Sequence, residues 1–506
     1  MRKRIPVFLV VSIAIAFIAS CGGSGHHTTT QNEVPVVLSI SDPEQLNSVG
    51  VLSFDLQITG ACLLTSSDAS ATSCSGAQNL LPNGAVTVQL QNLQNGGESD
   101  VLATTEVPAD TYTAVLLTFG TSTAAINVDP GTTDNDTVTP TPDSCTAAAT
   151  PTVCELSPVV NPTSVTVPFT NPAALTAGQP VNIAISFDVA DSLVEATAGS
   201  TNTFTIDPSF TVSENTTAGA DGNLLDVNNV MGTVTNVGTG TFTVTDSATG
   251  QPVTITTGNN TTFNGFTSCT TNNLACVAAN QNVSVNYGVS DTSPLVQTAT
   301  SVTENGGINF GQGFEGTVIQ TGATPMVLVT YVPAGNTQGV SVGQTLTLVP
   351  PSTSAGYSVA TPAGQTLPSG VSFAGAGDLV DGQNVLIDST GIATAGGVST
   401  TTADQIVLEP TEFNGTVSAL NSPNFTVNGL NNFYLDNNIQ NVNFETGTQT
   451  TYGGSVSTTG YNGLTVGDQA NLNGFLFNGG VGQSPVVYGE NVYDNGQSGD
   501  LERKAK

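Results

Sequence analysis

Apolar and polar residues alternate with a period of two along most of this chain. In PVNIAISFDVA the residues Val181, Ile183, Ile185, Phe187 and Val189 share one face. AVTVQLQ groups Val86, Val88 and Leu90 in the same way, and SFDLQI groups Phe54, Leu56 and Ile58. Such alternation predicts half-buried strands. DTYTAVLLTFG is apolar on both faces from Ala114 to Leu117, which predicts a central strand covered on two sides. Clusters of glycine, threonine and asparagine separate the runs, and no long helical period interrupts them. The pattern predicts an all-β fold, and 506 residues predict three or four domains.

The runs divide into two kinds of text. Residues 34–213 hold the strands quoted above and predict a β-sandwich-like domain. From about residue 225 the chain repeats: GTV recurs at 232, 316 and 415, in MGTVTNVGTGTFTV, FEGTVIQTGATPMVLV and FNGTVSALNSPNFTV. A second landmark follows in each unit, in LACVAANQNVSVNYG, GDLVDGQNVLIDSTG and NGLTVGDQANLNGFL. Each landmark reads as a tight polar turn leading into an alternating strand. Unequal spacing between copies predicts separate modules at 225–308, 309–410 and 411–496 rather than a solenoid of fixed period.

Both halves resemble known families. VVLSISDPEQLNSVGVLSFDLQITGACLL, GAVTVQLQNLQ and LATTEVPADTYTAVLLTFG resemble the bacterial lipoprotein family known as domain of unknown function 4382. The Asp42-Pro43 step is one residue tighter than that family's pattern, and Pro108-Ala109-Asp110-Thr111-Tyr112 carries one residue more. No activity is implied by the family. The three GTV units resemble domain of unknown function 5666, which implies small OB-like barrels. The fold expected is therefore all-β, an N-terminal sandwich-like domain followed by three OB-like barrel modules.

The first 33 residues place the protein. Arg2, Lys3 and Arg4 precede an apolar run from Ile5 to Ile18, the layout of a secretory signal. The run is short for the roughly 20 residues of a spanning helix. Ile18-Ala19-Ser20-Cys21 resembles the lipobox of bacterial lipoproteins. That resemblance implies cleavage of residues 1–20 as signal peptide, acylation of Cys21, and anchoring by several acyl chains where one would be marginal. Residues 21–33 then form a flexible Gly/Ser tether, and Gly22 in place of aspartate implies the outer membrane of the cell envelope. Residues 497–506 read as a disordered tail.

Charge then removes whole classes of function. The chain has 6 basic and 38 acidic residues. All the basic ones lie at the ends: Arg2, Lys3, Arg4, Arg503, Lys504 and Lys506. Signal cleavage leaves three basic residues against 38 acidic ones, a formal charge of −35. Phosphate neutralisation by lysine and arginine is unavailable, so nucleic acid is excluded as a partner. The two histidines, His26 and His27, sit in the tether, which removes Ser-His-Asp and Cys-His catalysis from the folded body. Paired carboxylates are the one enzymatic option left, as in a glycan hydrolase, and it ranks last. No cofactor is expected.

Three sets of residues remain as candidates. Cys62, Cys74, Cys145, Cys154, Cys269 and Cys276 form three local pairs, expected as 62–74, 145–154 and 269–276 in an oxidising compartment. Asp129, Asp134 and Asp136 form the densest acidic cluster, with Asp188, Asp191 and Glu195 as another. Neither has the spacing of a calcium loop, so the first is only a weak calcium candidate. Tyr434, Tyr452, Tyr461, Tyr488 and Tyr493 concentrate in the last unit, either as strand residues filling a sheet face or as platforms for sugar rings. The function expected is a lipid-anchored envelope protein that displays β domains for adhesion or for binding a ligand such as a polysaccharide or another envelope protein. A purely structural envelope component is the alternative.

Overall fold

A computed structural model describes residues 32–41, 51–68, 71–90, 99–128, 144–145, 152–198, 201–219, 222–247, 249–266, 273–304, 312–333, 336–360, 367, 370–430, 432–479 and 484–497. The expected signal peptide, Cys21 with most of its tether, and the last residues of the tail lie outside them.

The described chain is all-β, as the alternation predicts. Its first strands are β1 (Glu33–Ser41), β2 (Val51–Leu64), β3 (Gln78–Asn79), β4 (Val86–Gln89), β5 (Asp100–Pro108), β6 (Thr111–Val128) and β7 (Ser144–Cys145). They continue as β8 (Thr152–Leu156), β9 (Val159–Val160), β10 (Ser164–Ala174), β11 (Val181–Asp188), β12 (Leu193–Ala198), β13 (Thr201–Ile206) and β14 (Ser209–Asn215). One sheet has the order β14-β11-β1-β5, with β1 and β11 parallel. A second has the order β3-β2-β6-β8-β7, with β4 added to β2 and β10 to β6. A small sheet β12-β13-β9 stands beside them. Leu38, Ile40, Phe54, Leu56, Ile58, Val115, Leu117, Ile183, Ile185 and Phe187 fill the space between the two main sheets. The Phe187 ring lies 6.2 Å from Phe54 and 6.3 Å from Phe210.

Three closed barrels follow. The first is made of β15 (Asn223–Val237), β16 (Thr241–Asp246), β17 (Pro252–Asn264), β18 (Asn282–Ser290) and β19 (Gln297–Glu304). The second comprises β20 (Gly313–Gln320), β21 (Met326–Tyr331), β22 (Thr345–Val349), β24 (Asn384–Ala395) and β25 (Val398–Leu408), with β23 (Tyr357–Val359) added beside β25. The third comprises β26 (Thr411–Asn421), β27 (Asn424–Asn428), β28 (Asn441–Gly454), β29 (Asp468–Phe477) and β30 (Val486–Gln497). All three close in the order first, second, third, fifth, fourth. In each the third and fifth strands run parallel, as β17–β19, β22–β25 and β28–β30. Five strands closed in this way make an OB-like barrel.

The two sequence landmarks are partners in space. The valines of GTV (Val234, Val318 and Val417) are fully buried in their barrels. Their carbonyls accept backbone hydrogen bonds from Asn280 (2.7 Å), Gly382 (2.7 Å) and Gly467 (2.9 Å), the turn residues of the second landmark. Those three residues have φ of +69°, +90° and +101°, the left-handed region that glycine and asparagine tolerate best. The next side chain locks each turn. Gln281 Oε1 accepts from the Ala278 N–H, Gln383 Oε1 from the Val380 N–H, and Asp468 Oδ2 from the Thr465 N–H.

The glycines of GTV answer a different need. A Cβ at Gly232, Gly316 or Gly415 would fall within 3 Å of the carbonyl oxygen of Thr245, Leu328 or Asn428 on the second strand. Only glycine permits that backbone approach, which explains why the motif recurs while its flanks vary.

The units also pack on one another. Val37 and Val101 of the sandwich join the apolar cluster of the first barrel, so β1 is buried on both faces. On the other side, Val153 and Leu52 pack with Ile319 and Leu328 of the second barrel. Glu155 accepts hydrogen bonds from Thr345 N–H at 2.6 Å and from Thr345 Oγ at 2.9 Å. Between the second and third barrels, Gln383 Nε2 donates to Leu476 O at 2.8 Å, and Phe475, Phe477 and Tyr488 enter the second barrel's core.

The close approach at GTV yields a prediction. Gly415→Ala forces a methyl group against backbone and lowers stability by about 1–3 kcal/mol, the range for overpacking. Gly391, in a strand with open space around it, serves as the control: Gly391→Ala is neutral or slightly stabilising. Chemical denaturation of both variants checks this, and equal stabilities would remove the steric account of the motif.

Candidate functional site

The tyrosines of the last unit divide into two groups. Tyr434 stands on α2 (Asn432–Asp436), between β27 and β28. It is 6% exposed, its ring lies 5.2 Å from Phe413 and 5.6 Å from Phe433, and its hydroxyl donates to Gly382 O. A Cβ at Gly382 would strike that ring, so the turn glycine serves both its own φ and the seat of Tyr434. Burial, and then the Glu412 carboxylate, hold the Tyr434 phenol well above its usual range. Tyr488 is 8% exposed within the second barrel's apolar cluster. Neither ring presents a face to solvent, so of the two alternatives read from the sequence these residues take the packing one, at the seam between barrels.

Tyr452 and Tyr461 are different. Both are half-buried, both lean on the third barrel's core, and Tyr461 is close enough to act electrostatically on the Tyr452 phenol. Burial first, and Tyr461 to a smaller degree, raise the Tyr452 phenol, while a hydrogen bond from its partner Thr446 works against them. Tyr452 lies on β28 and Tyr461 in the turn that follows it. The side chain of Tyr493 lies outside the described residues.

The cysteines take structural places. Cys62 and Cys74 are bonded, with Cα atoms 5.6 Å apart. Their loop lays Ala71, Cys74 and Ala77 over Leu64, Ala114 and Leu116. This cover explains why DTYTAVLLTFG is apolar on both faces. Cys154 and Cys276 are disulfide-bonded, and Cys145 is the register partner of Cys154 across β7 and β8. Cys269 lies outside the described residues.

Of the acidic candidates, the structure describes the side chains of Asp188 and Asp191. Asp129, Asp134 and Asp136 lie outside the described residues, as does the side chain of Glu195. Asp188 caps α1 (Val189–Ser192) by accepting from the Asp191 N–H at 2.8 Å. Among the described residues no three His, Cys, Asp or Glu side chains converge on a common point. Among them, too, no helix is long and apolar enough to cross a membrane.

Sequence reasoning missed the buried acids. Glu315 stands on β20 opposite Tyr331 of β21, where the second barrel meets the first. Tyr331 packs with Met231, Leu386 and Val407 and is hydrogen-bonded to Ser247. Asp246 of the first barrel and Asp100 of the sandwich act electrostatically on the same tyrosine, so three units converge there. Burial pushes the Glu315 carboxyl up to about 7. Asp55, on the outward face of β2, is also pushed up to about 7 by burial. Strand alternation assigns both to a polar face, and nothing local to the sequence says that another unit covers it.

Comparison with known proteins agrees with the resemblance read in the sandwich region. The family described as domain of unknown function (DUF4382) matches residues 34–208, which hold the sandwich strands through Ile206. No curated protein matches the chain. Among solved structures, the crystal structure of a multidomain protein with nucleic acid binding domains from Streptococcus pneumoniae TIGR4 is 10% identical over 51% of this chain and 72% of that one. Its TM-score of 0.11 carries no argument about fold or function.

Glu315 makes stability depend on pH. Its carboxyl is raised in the folded state, so folding favours the protonated form. That contribution is complete below its ordinary value of 4.5 and is lost as pH rises toward about 7. The loss is on the order of 3 kcal/mol. Glu315→Gln cannot ionise, so its melting temperature exceeds that of the wild type near pH 8 and converges with it near pH 4 to 5. Parallel melting profiles across that range would show that the carboxyl is not desolvated in the fold.

Proposed function

We propose that this protein is a lipid-anchored component of a bacterial cell envelope that holds an array of β modules outside the membrane to bind a ligand, without catalysis. The observation that carries the reading is the chemistry of the body. Between Arg4 and Arg503 there is no lysine or arginine, and the histidines stop at His27. Such a body offers a ligand amides, hydroxyls, carboxylates and aromatic rings, and no cationic clamp or imidazole base. A neutral glycan suits that inventory. The half-exposed Tyr452 and Tyr461, side by side at the end of the third barrel, are the residues we assign to it.

Attachment through Cys21, in an outer membrane, follows from the lipobox-like Ile18-Ala19-Ser20-Cys21 and from Gly22. The three local cysteine pairs suit the same oxidising side of the membrane. A structural envelope component without a discrete ligand is the second reading. The burial of Tyr434 and Tyr488 favours it, since both rings are spent on packing.

Two measurements test this. Wild-type protein incorporates labelled palmitate and partitions into detergent, and Cys21→Ala does neither. Labelling that persists in the variant would end the anchor reading. In the second test, native envelope polysaccharides are presented to the protein. Tyr461→Ala weakens binding roughly tenfold or more, on the scale of ~1–3 kcal/mol per stacked ring, with little dependence on salt. If no polysaccharide binds, the structural reading replaces the glycan one.

A further inference from the structure

The outward face of the second sandwich sheet carries an unusual row. Along β2, Phe54, Leu56 and Ile58 point into the sandwich, which leaves Ser53 and Asp55 on the opposite face. Asp55 stands directly opposite Thr123 of β6 on one side and Gln89 of β4 on the other. Directly opposed residues hold their Cβ atoms about 4.5–5.5 Å apart, so the three side chains form one lateral line, with Ser53 one pleat along.

The second barrel covers this face. Ala125 is opposite Ser53, and Glu155 is opposite Ala125, so the Glu155–Thr345 hydrogen bonds fasten the barrel to the same surface. In the loop before Thr345, a Cβ at Gly343 would lie 3.4 Å from Ala124 O and 3.8 Å from Ser53 Oγ. The barrel's β21 packs on β2, with Leu328 joining Val153 in one cluster and Thr330 two residues further along the same face.

Five buried oxygens in this seam have no hydrogen-bond partner: Ser53 Oγ, Asp55 Oδ1, Gln89 Oε1, Thr123 Oγ1 and Thr330 Oγ1. Among the described residues only Asp381 Oδ1 and Asn473 Oδ1 share that condition elsewhere. Ser53 is 0% exposed, Thr330 6% and Gln89 9%. Native interiors leave few such groups, and a concentration of them calls for an ion or water. A side-chain cation cannot answer for Asp55, because the body contains no lysine or arginine.

We propose that this seam binds a hard divalent cation of the calcium type, held by Asp55, Gln89 and Thr123 and completed by Ser53 and Thr330. One carboxylate, one amide carbonyl and hydroxyls are oxygen donors of the kind Ca²⁺ takes, and the nitrogen and sulfur ligands that zinc prefers are absent from the set. Five oxygens approach the 6–8 that calcium requires, with water to complete the shell. A single carboxylate puts the affinity at the weak end, about 10⁻⁴–10⁻³ M, the range of extracellular modules. Both the sandwich and the second barrel contribute donors, so the cation fastens the two units together.

The test uses the full chain after chelator treatment, with CaCl₂ against NaCl at matched ionic strength. About 10 mM Ca²⁺ raises the melting temperature by about 2–4 °C through mass action, and NaCl does not. Equilibrium dialysis with radioactive calcium then counts bound ions. Asp55→Asn, an isosteric change that removes the charge, loses one bound ion per chain and the thermal response. Thr123→Val weakens the calcium affinity roughly tenfold, which cuts the thermal response about two- to threefold, and it serves as the deciding variant if Asp55→Asn fails to fold. Asp291→Asn, at an exposed position, leaves both readouts unchanged. A wild-type protein that responds to Ca²⁺ no more than to NaCl overturns the proposal and makes the seam a water site. An unchanged response in Asp55→Asn and Thr123→Val also overturns it, by placing calcium on the acidic surface.

Discussion

Each barrel in this protein depends on one backbone hydrogen bond, from a left-handed turn residue to the carbonyl of a buried valine on the first strand. Asn280, Gly382 and Gly467 donate it, and Val234, Val318 and Val417 accept it. The bond lies one step past the last ladder pair between the first and fourth strands (Thr233–Asn282, Thr317–Asn384 and Thr416–Gln469), so it extends the pairing by which the sheet closes on itself. Two sequence requirements follow. The turn needs a residue that tolerates positive φ, and the strand needs a glycine two places before the valine so that the second strand can press close. The same turn chemistry recurs elsewhere: Gly343 (φ +85°) donates to Val329 O, and Gly178 (φ +75°) in the sandwich donates to Glu33 O. One local device thus recurs in both kinds of unit.

The device also joins units. In the second barrel, Gln383 holds its own turn through Oε1 and reaches the third barrel through Nε2, while the Tyr434 ring from the third barrel lies on Gly382. The sandwich is covered in turn by the first barrel over β1 and by the second over β2 and β8. Both faces of the sandwich are thus packed against barrels. Burial of acids follows from this arrangement. A chain without lysine or arginine in its body cannot pair a carboxylate that a neighbouring unit covers, so Glu315 is held toward protonation.

Most of the fold was legible in the sequence, and the reasons are local. Alternation located β2, β4 and β11, and the GTV and turn landmarks located the barrels because each reflects a steric rule within a few residues. The Cys62–Cys74 loop was legible from spacing. The candidate site was less so. Alternation says which residues share a face but not what covers that face, so the sequence left Tyr434 and Tyr488 between sheet packing and sugar platforms, and the seam that buries them lay beyond its reach. Asp55 in SFDLQI and Glu315 in FEGTV occupy polar positions of ordinary strands, and their burial comes from units far away in the chain.

Native-state hydrogen exchange tests the barrel-closing bond most directly. The amides of Asn280, Gly382 and Gly467 are turn residues, and turn amides ordinarily exchange through small local openings. If these bonds close the barrels, the three amides exchange only with the opening of the whole barrel, at the same free energy as the valine amides of the first strands. Exchange of the turn amides by fraying, while the neighbouring strands stay protected, would show that the barrels close without them.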